Sequence, residues 1–233
     1  MLGLIVLSSV VMASEPAMKC AVDNRDVCTN MAYALDAKVG AGLEDLKDNV
    51  RPRKFAEWMF PLARYVFTMT GYPASLLVGH AGFISSWGRS EAFQDHHNIY
   101  DLNCSTVGAK VSGQLVIDKD TWSFHAECKG PKKKGRGNFW HFAKWEDSVS
   151  FFLSMVLQSK MPIYERVQEE LAKSWKTFPA RPPSVRTVTP MLTFMTSTTN
   201  FMDAVFNGIN DLNLIQYDDF ECWNCMRKKR EKK

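Results

Sequence analysis

The chain has 233 residues, 45% of them hydrophobic and 12% aromatic, and a formal net charge of +4. That length suits one decorated domain, or two small ones at most, and can bury a core without covalent staples. Beyond the N-terminus no stretch is long and apolar enough to cross a membrane.

Leu2 to Met12 is almost wholly apolar, and Val11-Met12-Ala13 offers small residues for a cut. This reads as the core of a secretory signal peptide over residues 1–13, so the protein is expected to be exported, to a periplasmic or extracellular space. Six cysteines follow: Cys20, Cys28, Cys104, Cys128, Cys222 and Cys225. An even number in an exported chain favours disulfides. Cys104 and Cys128 bracket the expected strands and are expected to pair. Cys222-Trp-Asn-Cys225 lacks a second ligand pair for zinc and reads as disulfide chemistry, local or to Cys20 or Cys28.

Residues 14–50 read as an N-terminal extension with a helix near Asn30 to Lys38. Phe55, Trp58, Met59, Leu62, Tyr65, Val66 and Met69 then recur at helical spacing. Gly71-Tyr72-Pro73 ends that helix and Pro73 begins another. Leu76, Leu77, His80, Ala81 and Ile84 form its apolar stripe. After Trp87-Gly88 the chain reads as polar and irregular. Gln114 to Ile117 and Thr121 to Phe124 flank Asp118-Lys119-Asp120 as a β-hairpin. Helices are expected again over Glu146 to Leu157, Pro162 to Ala172 and Phe201 to Leu212. A proline-rich loop covers 178–190.

Charge is unevenly spread. Lys129, Lys132, Lys133, Lys134 and Arg136, with the tail Arg227, Lys228, Lys229, Arg230, Lys232 and Lys233, hold eleven positive charges against Glu231. The remainder carries about −6. Two basic segments on an acidic body suit an anionic envelope surface. Nucleic acid is not expected of an exported chain without a matching motif.

Gly71-Tyr72-Pro73-Ala74-Ser75-Leu76-Leu77 leads into His80-Ala81-Gly82-Phe83-Ile84-Ser85-Ser86-Trp87-Gly88. His97-Asn98-Ile99-Tyr100-Asp101 and Phe139 to Val149 follow. Asn200 to Asp218 closes the series. In this order the segments resemble the glucosaminidase family of peptidoglycan hydrolases, over roughly residues 55 to 218. The resemblance assigns 51–220 to a glucosaminidase-like domain and leaves 221–233 as the CxxC and basic tail. It implies an α+β, mainly helical, lysozyme-like fold with two lobes, a groove between them and a small β-hairpin lobe. It implies peptidoglycan, or a related N-acetylglucosamine polymer, as partner, and cleavage of its β-1,4 bonds.

Such cleavage needs a carboxylic acid to protonate the leaving oxygen, with its pKa raised by an apolar setting. The family places that glutamate immediately before Ser-x-Trp-Gly; here the position is Ile84. Loss of a general acid alone costs about a hundred- to ten-thousand-fold in rate. The expected function is therefore recognition of wall glycan, with hydrolysis lost or altered. Glu127, at about the spacing of the family's second carboxylate, is the alternative catalytic residue, in an active hydrolase. Glu91, Asp95 and Asp101 are lesser candidates. A structural or protein-binding role through the basic tail is a third reading. Trp87, Asn98, Tyr100 and Phe142 are the expected glycan-binding residues, with Trp122 and Trp140 as further possible platforms. No cofactor is expected. No metal is expected either: His96 and His97 are adjacent and would diverge on most backbones, leaving His80, Asp95 and Asp101 as loop or core polar groups.

Overall fold

The structure is a computed structural model that describes residues 50–117, 120–131, 137–177 and 200–218, with Leu43, Lys47 and Val188. The expected leader, the extension helix, Cys20, Cys28, Cys222, Cys225, the basic tail, residues 132–136 and nearly all of the proline-rich loop lie outside that set.

Helix α1 spans Arg51–Thr70 and buries the predicted stripe of Phe55, Met59, Leu62 and Val66. Gly71 stops it in the left-handed region (φ 76°), where glycine has no Cβ to clash, and its N–H returns to Phe67 O. Helix α2, Ala74–Ile84, is buried from Ala74 through Gly82. A helix apolar on all sides belongs at the centre of a domain, and α2 packs between α1 and the C-terminal elements.

Pro73 is the residue before α2, not its first residue, and has no side chain that can cap the helix. Asp218 supplies the cap from the far end of the chain. Ser75 N–H and Ser75 Oγ donate to its two carboxylate oxygens at 2.8 and 2.5 Å. Burial pushes that carboxyl up, and the Ser75 bonds, the Ala74 backbone and Arg64 pull it back toward the charged form.

A short helix α3, Glu91–His96, follows where the sequence reads as irregular. Six residues are too few to show a period; what fixes the helix is its cap, with Ser90 Oγ accepting from Phe93 N–H at 3.1 Å. Then come β1 (Asn103–Cys104), β2 (Lys110–Ile117), β3 (Asp120–Lys129) and β4 (Asn138–Phe142). They form one antiparallel sheet in the order β1-β4-β3-β2. The expected hairpin is β2–β3; β4 widens the sheet by pairing with the other side of β3.

One sheet face carries Leu115, Trp122, Phe124, Ala126 and Phe142 and is buried. Helix α4 (Trp145–Gln158) packs there, with Phe151 against Phe124, Trp140 and Phe142. Gly113 stands opposite Phe124, whose ring fills the space a side chain would need. The other face carries Lys110, Ser112, His125, Glu127 and His141. Helices α5 (Pro162–Thr177) and α6 (Phe201–Asp211), then a 3₁₀ turn at Leu214–Tyr217, complete the described chain. The result is an α+β architecture, mainly helical, with a four-stranded sheet.

The predicted Cys104–Cys128 disulfide is present. It sits where the β1–β2 connection crosses the end of β3. There Gly108 N–H donates to Cys128 O and Cys128 N–H to Ala109 O, each at 2.8 Å.

Candidate functional site

Ile84 ends α2, partly buried against the apolar core. The next residues form an unusual turn. Ser86, Trp87 and Gly88 all take positive φ (52°, 56° and 83°). Trp87 N–H reaches back to Gly82 O at 2.6 Å, and Arg89 and Ser90 N–H both donate to Ser85 O at 2.8 Å. Ser85 Oγ donates to Ala81 O and accepts from Gly88 N–H. The carbonyls of Ala81, Gly82, Phe83 and Ser85 are thus given local partners at the end of the helix.

The turn swings the Trp87 indole back over Gly82, close also to Gly208 of α6 and edge-on to Phe55. A Cβ on Gly82 would lie 2.1 Å from the indole. The retained parts of the motif therefore have structural work. Gly82 admits the ring, Ser85 ties the turn, and Gly88 takes the backbone angle. In Gly82→Ala the overpacking cost of up to about 3 kcal/mol outweighs a helix-propensity gain of about 1 kcal/mol. A net loss of about 2 kcal/mol is expected in urea unfolding; a neutral result would mean the indole moves freely.

Glu127 lies on the polar sheet face. Across β2–β3 it stands directly opposite Lys110, and across β3–β4 directly opposite His141. These three line a shallow depression of about 250 Å³ with Ser112 and His125. Ser112 Oγ and His125 Nδ1 are 2.8 Å apart. Glu127 is ion-paired with Lys129 at 3.8 Å, both side chains nearly half exposed. Its side chain is thus open to solvent and flanked by Lys110 and Lys129, not enclosed in an apolar pocket.

The expected glycan-binding residues are placed unevenly. Asn98 is fully buried: its amide donates to Leu102 O and Trp140 O and accepts from Leu102 N–H. Tyr100 is stacked on Phe152 at 4.0 Å, with its hydroxyl on Leu77 O. Phe142 is buried under α4. Of the four, Trp87 alone keeps part of its surface exposed. Trp122 faces the interior, and Trp140 is half-buried against Phe151.

Among the lesser candidates, Asp101 accepts from Ser90 Oγ at 2.7 Å, and Glu91 opens α3. Asp95 lends its backbone to His141. Among the described residues no group of three His, Cys, Asp or Glu side chains is gathered closely enough for a metal ion.

Asp147 was not among the sequence candidates. It is buried in the first turn of α4, 3.8 Å from Lys144 Nζ. Burial pushes its carboxyl up, and Lys144 and His125 pull it down. A buried carboxyl of this kind is where acid chemistry is sought. The position at a helix start, where carboxylates also serve the backbone N–H groups, was the only signal available in the sequence.

No protein-family profile matches the chain, and no curated protein matches it. Among solved structures it is similar to the catalytic domain of the autolysin Auto from Listeria monocytogenes. The identity is 15% and the TM-score 0.49, over 80% of this chain and 98% of that one. It is also similar to an N-acetylmuramoyl-L-alanine amidase from Staphylococcus aureus. There the identity is 17% and the TM-score 0.49, over 75% of this chain and 45% of that one.

Proposed function

We propose that the protein is an exported, lysozyme-like recogniser of cell-wall glycan in which the usual acid catalysis has been lost. The observation that carries this reading is Ile84. It occupies the end of a helix–turn unit whose neighbours, Gly82, Ser85, Trp87 and Gly88, all remain in use. An isoleucine there has no proton to donate, yet it suits the apolar packing. A carboxyl in that place would carry a desolvation cost that isoleucine avoids.

The polar sheet face supports glycan recognition. Lys110, Ser112, His125, Glu127 and His141 present donors and acceptors in one shallow depression, as sugar hydroxyls require. Glu127 also favours a second reading, an active hydrolase that has moved its chemistry to the sheet.

Purified, insoluble peptidoglycan separates the two. The protein is expected to sediment with the wall and to release no soluble muropeptides. Binding is expected to weaken in Glu127→Gln. Muropeptide release that disappears in Glu127→Gln would establish the hydrolase instead. Neither binding nor release would sink both readings and turn attention to a protein partner.

A further inference from the structure

Helix α3 meets β4 through histidines. His96, the last residue of α3, is almost fully buried, its ring 5.9 Å from Phe139 and 5.7 Å from His141. His97 takes a left-handed backbone (φ 48°), which turns its ring toward the same side. It lies 6.2 Å from His141, nearly parallel, and 4.7 Å from Trp145 of α4. Its Nδ1 is 3.0 Å from Phe142 O. Three imidazoles from two elements therefore share one seam. His141 belongs both to the seam and to the depression beside Glu127.

The surroundings are unfavourable to added positive charge. Burial, then Lys129, His96 and His97, holds His141 below the usual histidine range, against a backbone bond from Asp95. Glu127 faces His141 from β3, but it is paired with Lys129 and has Lys110 on its other side. Helix α4 presents the apolar Trp145 to His97. A neutral His141 packs well here, whereas an imidazolium would be held against two further rings about 6 Å away and Lys129, and Glu127 across the strand pair is already paired with Lys129. No gathered metal cluster competes for these nitrogens among the described residues.

We propose that the α3–β4 seam is an acid-sensitive latch: protonation of His141, packed against His96 and His97, in acid drives the two elements apart and disturbs the face that carries Glu127. The device depends on the fold and not on the glycan reading. It makes that face a neutral-pH surface whatever it binds.

Hydrogen exchange on the full chain at pH 7.5 and 5.5, corrected for the intrinsic pH dependence of exchange, tests it. Peptides over 91–98 and 138–142 are expected to exchange at least tenfold faster at pH 5.5, reversibly. His141→Gln is expected to abolish that local response while leaving the acid response of α1 as in the wild type. His97→Asn, which keeps a polar atom for Phe142 O and suits a left-handed backbone, serves as a second variant should the first not fold. A seam equally protected at both pH values overturns the proposal. So does an acid response that persists undiminished in the variants.

Discussion

Lowering the pH from 7 to 4 is expected to cost the fold about 3 kcal/mol through one side chain, His80. The ring sits in α2 among Tyr100, Phe152 and Phe201, with centroids 5.1 to 5.4 Å away. Its Nδ1 is buried without a hydrogen-bond partner. Burial pushes its pKa down to about 3. The sign follows directly. The unfolded chain takes up a proton near pH 6.5, whereas the folded chain refuses it until about pH 3. The stabilisation is complete above 6.5 and is lost steadily as pH falls toward 3. Asp147 and Asp218 act in the opposite sense. Their carboxyls are raised in the fold, so between the unfolded and folded values they favour it as pH falls. The contribution of His80 is therefore read by difference, from urea unfolding at pH 7 and pH 4 of the wild type and His80→Gln. The variant is expected to lose most of the acid sensitivity. An equally steep acid limb in both would mean the ring is hydrated.

Removing the disulfide is expected to be about as costly. Cys104 and Cys128 are 24 residues apart, and a closed loop of that size constrains the unfolded chain by about 3 kcal/mol. The folded side adds to the effect. Strand β1 has two residues and β4 five, so that edge of the sheet has few ladder bonds to survive alone. The double variant Cys104→Ser/Cys128→Ser is expected to lose about 3 kcal/mol in urea unfolding. Its first losses of exchange protection are expected in β1 and β4. A loss below about 1 kcal/mol would show that strand pairing with β3 suffices.

Much of this architecture is legible in the residues. The helical stripe of α1, the glycine stop at Gly71, the β2–β3 alternation and the cysteines that bracket it all express local periodicity or chain reach. Strand β4 does not: Asn138-Phe139-Trp140-His141-Phe142 has no alternation of apolar and polar, because one side meets α4 and the other meets α3. Helix α3 is too short to have a period. The meeting of the histidines is hidden in the sequence for a similar reason. Adjacent residues diverge on an extended or helical backbone, but the left-handed angle at His97 brings both rings to His141.

The candidate site was harder still. Asn98, Tyr100 and Phe142 have the chemistry of a sugar platform, and only tertiary packing reveals that they face inward. The position of Ile84 at a helix end was readable, whereas the structural duties of its neighbours were not.

The Asp218 clamp bears on how the molecule is made. It caps α2 from 143 residues away, and Arg64 holds Tyr217 O across 153. Contacts of such range form late and slow the search for the folded state. The cap on the first turn of the central helix is therefore missing from a nascent chain until residue 218 has left the ribosome.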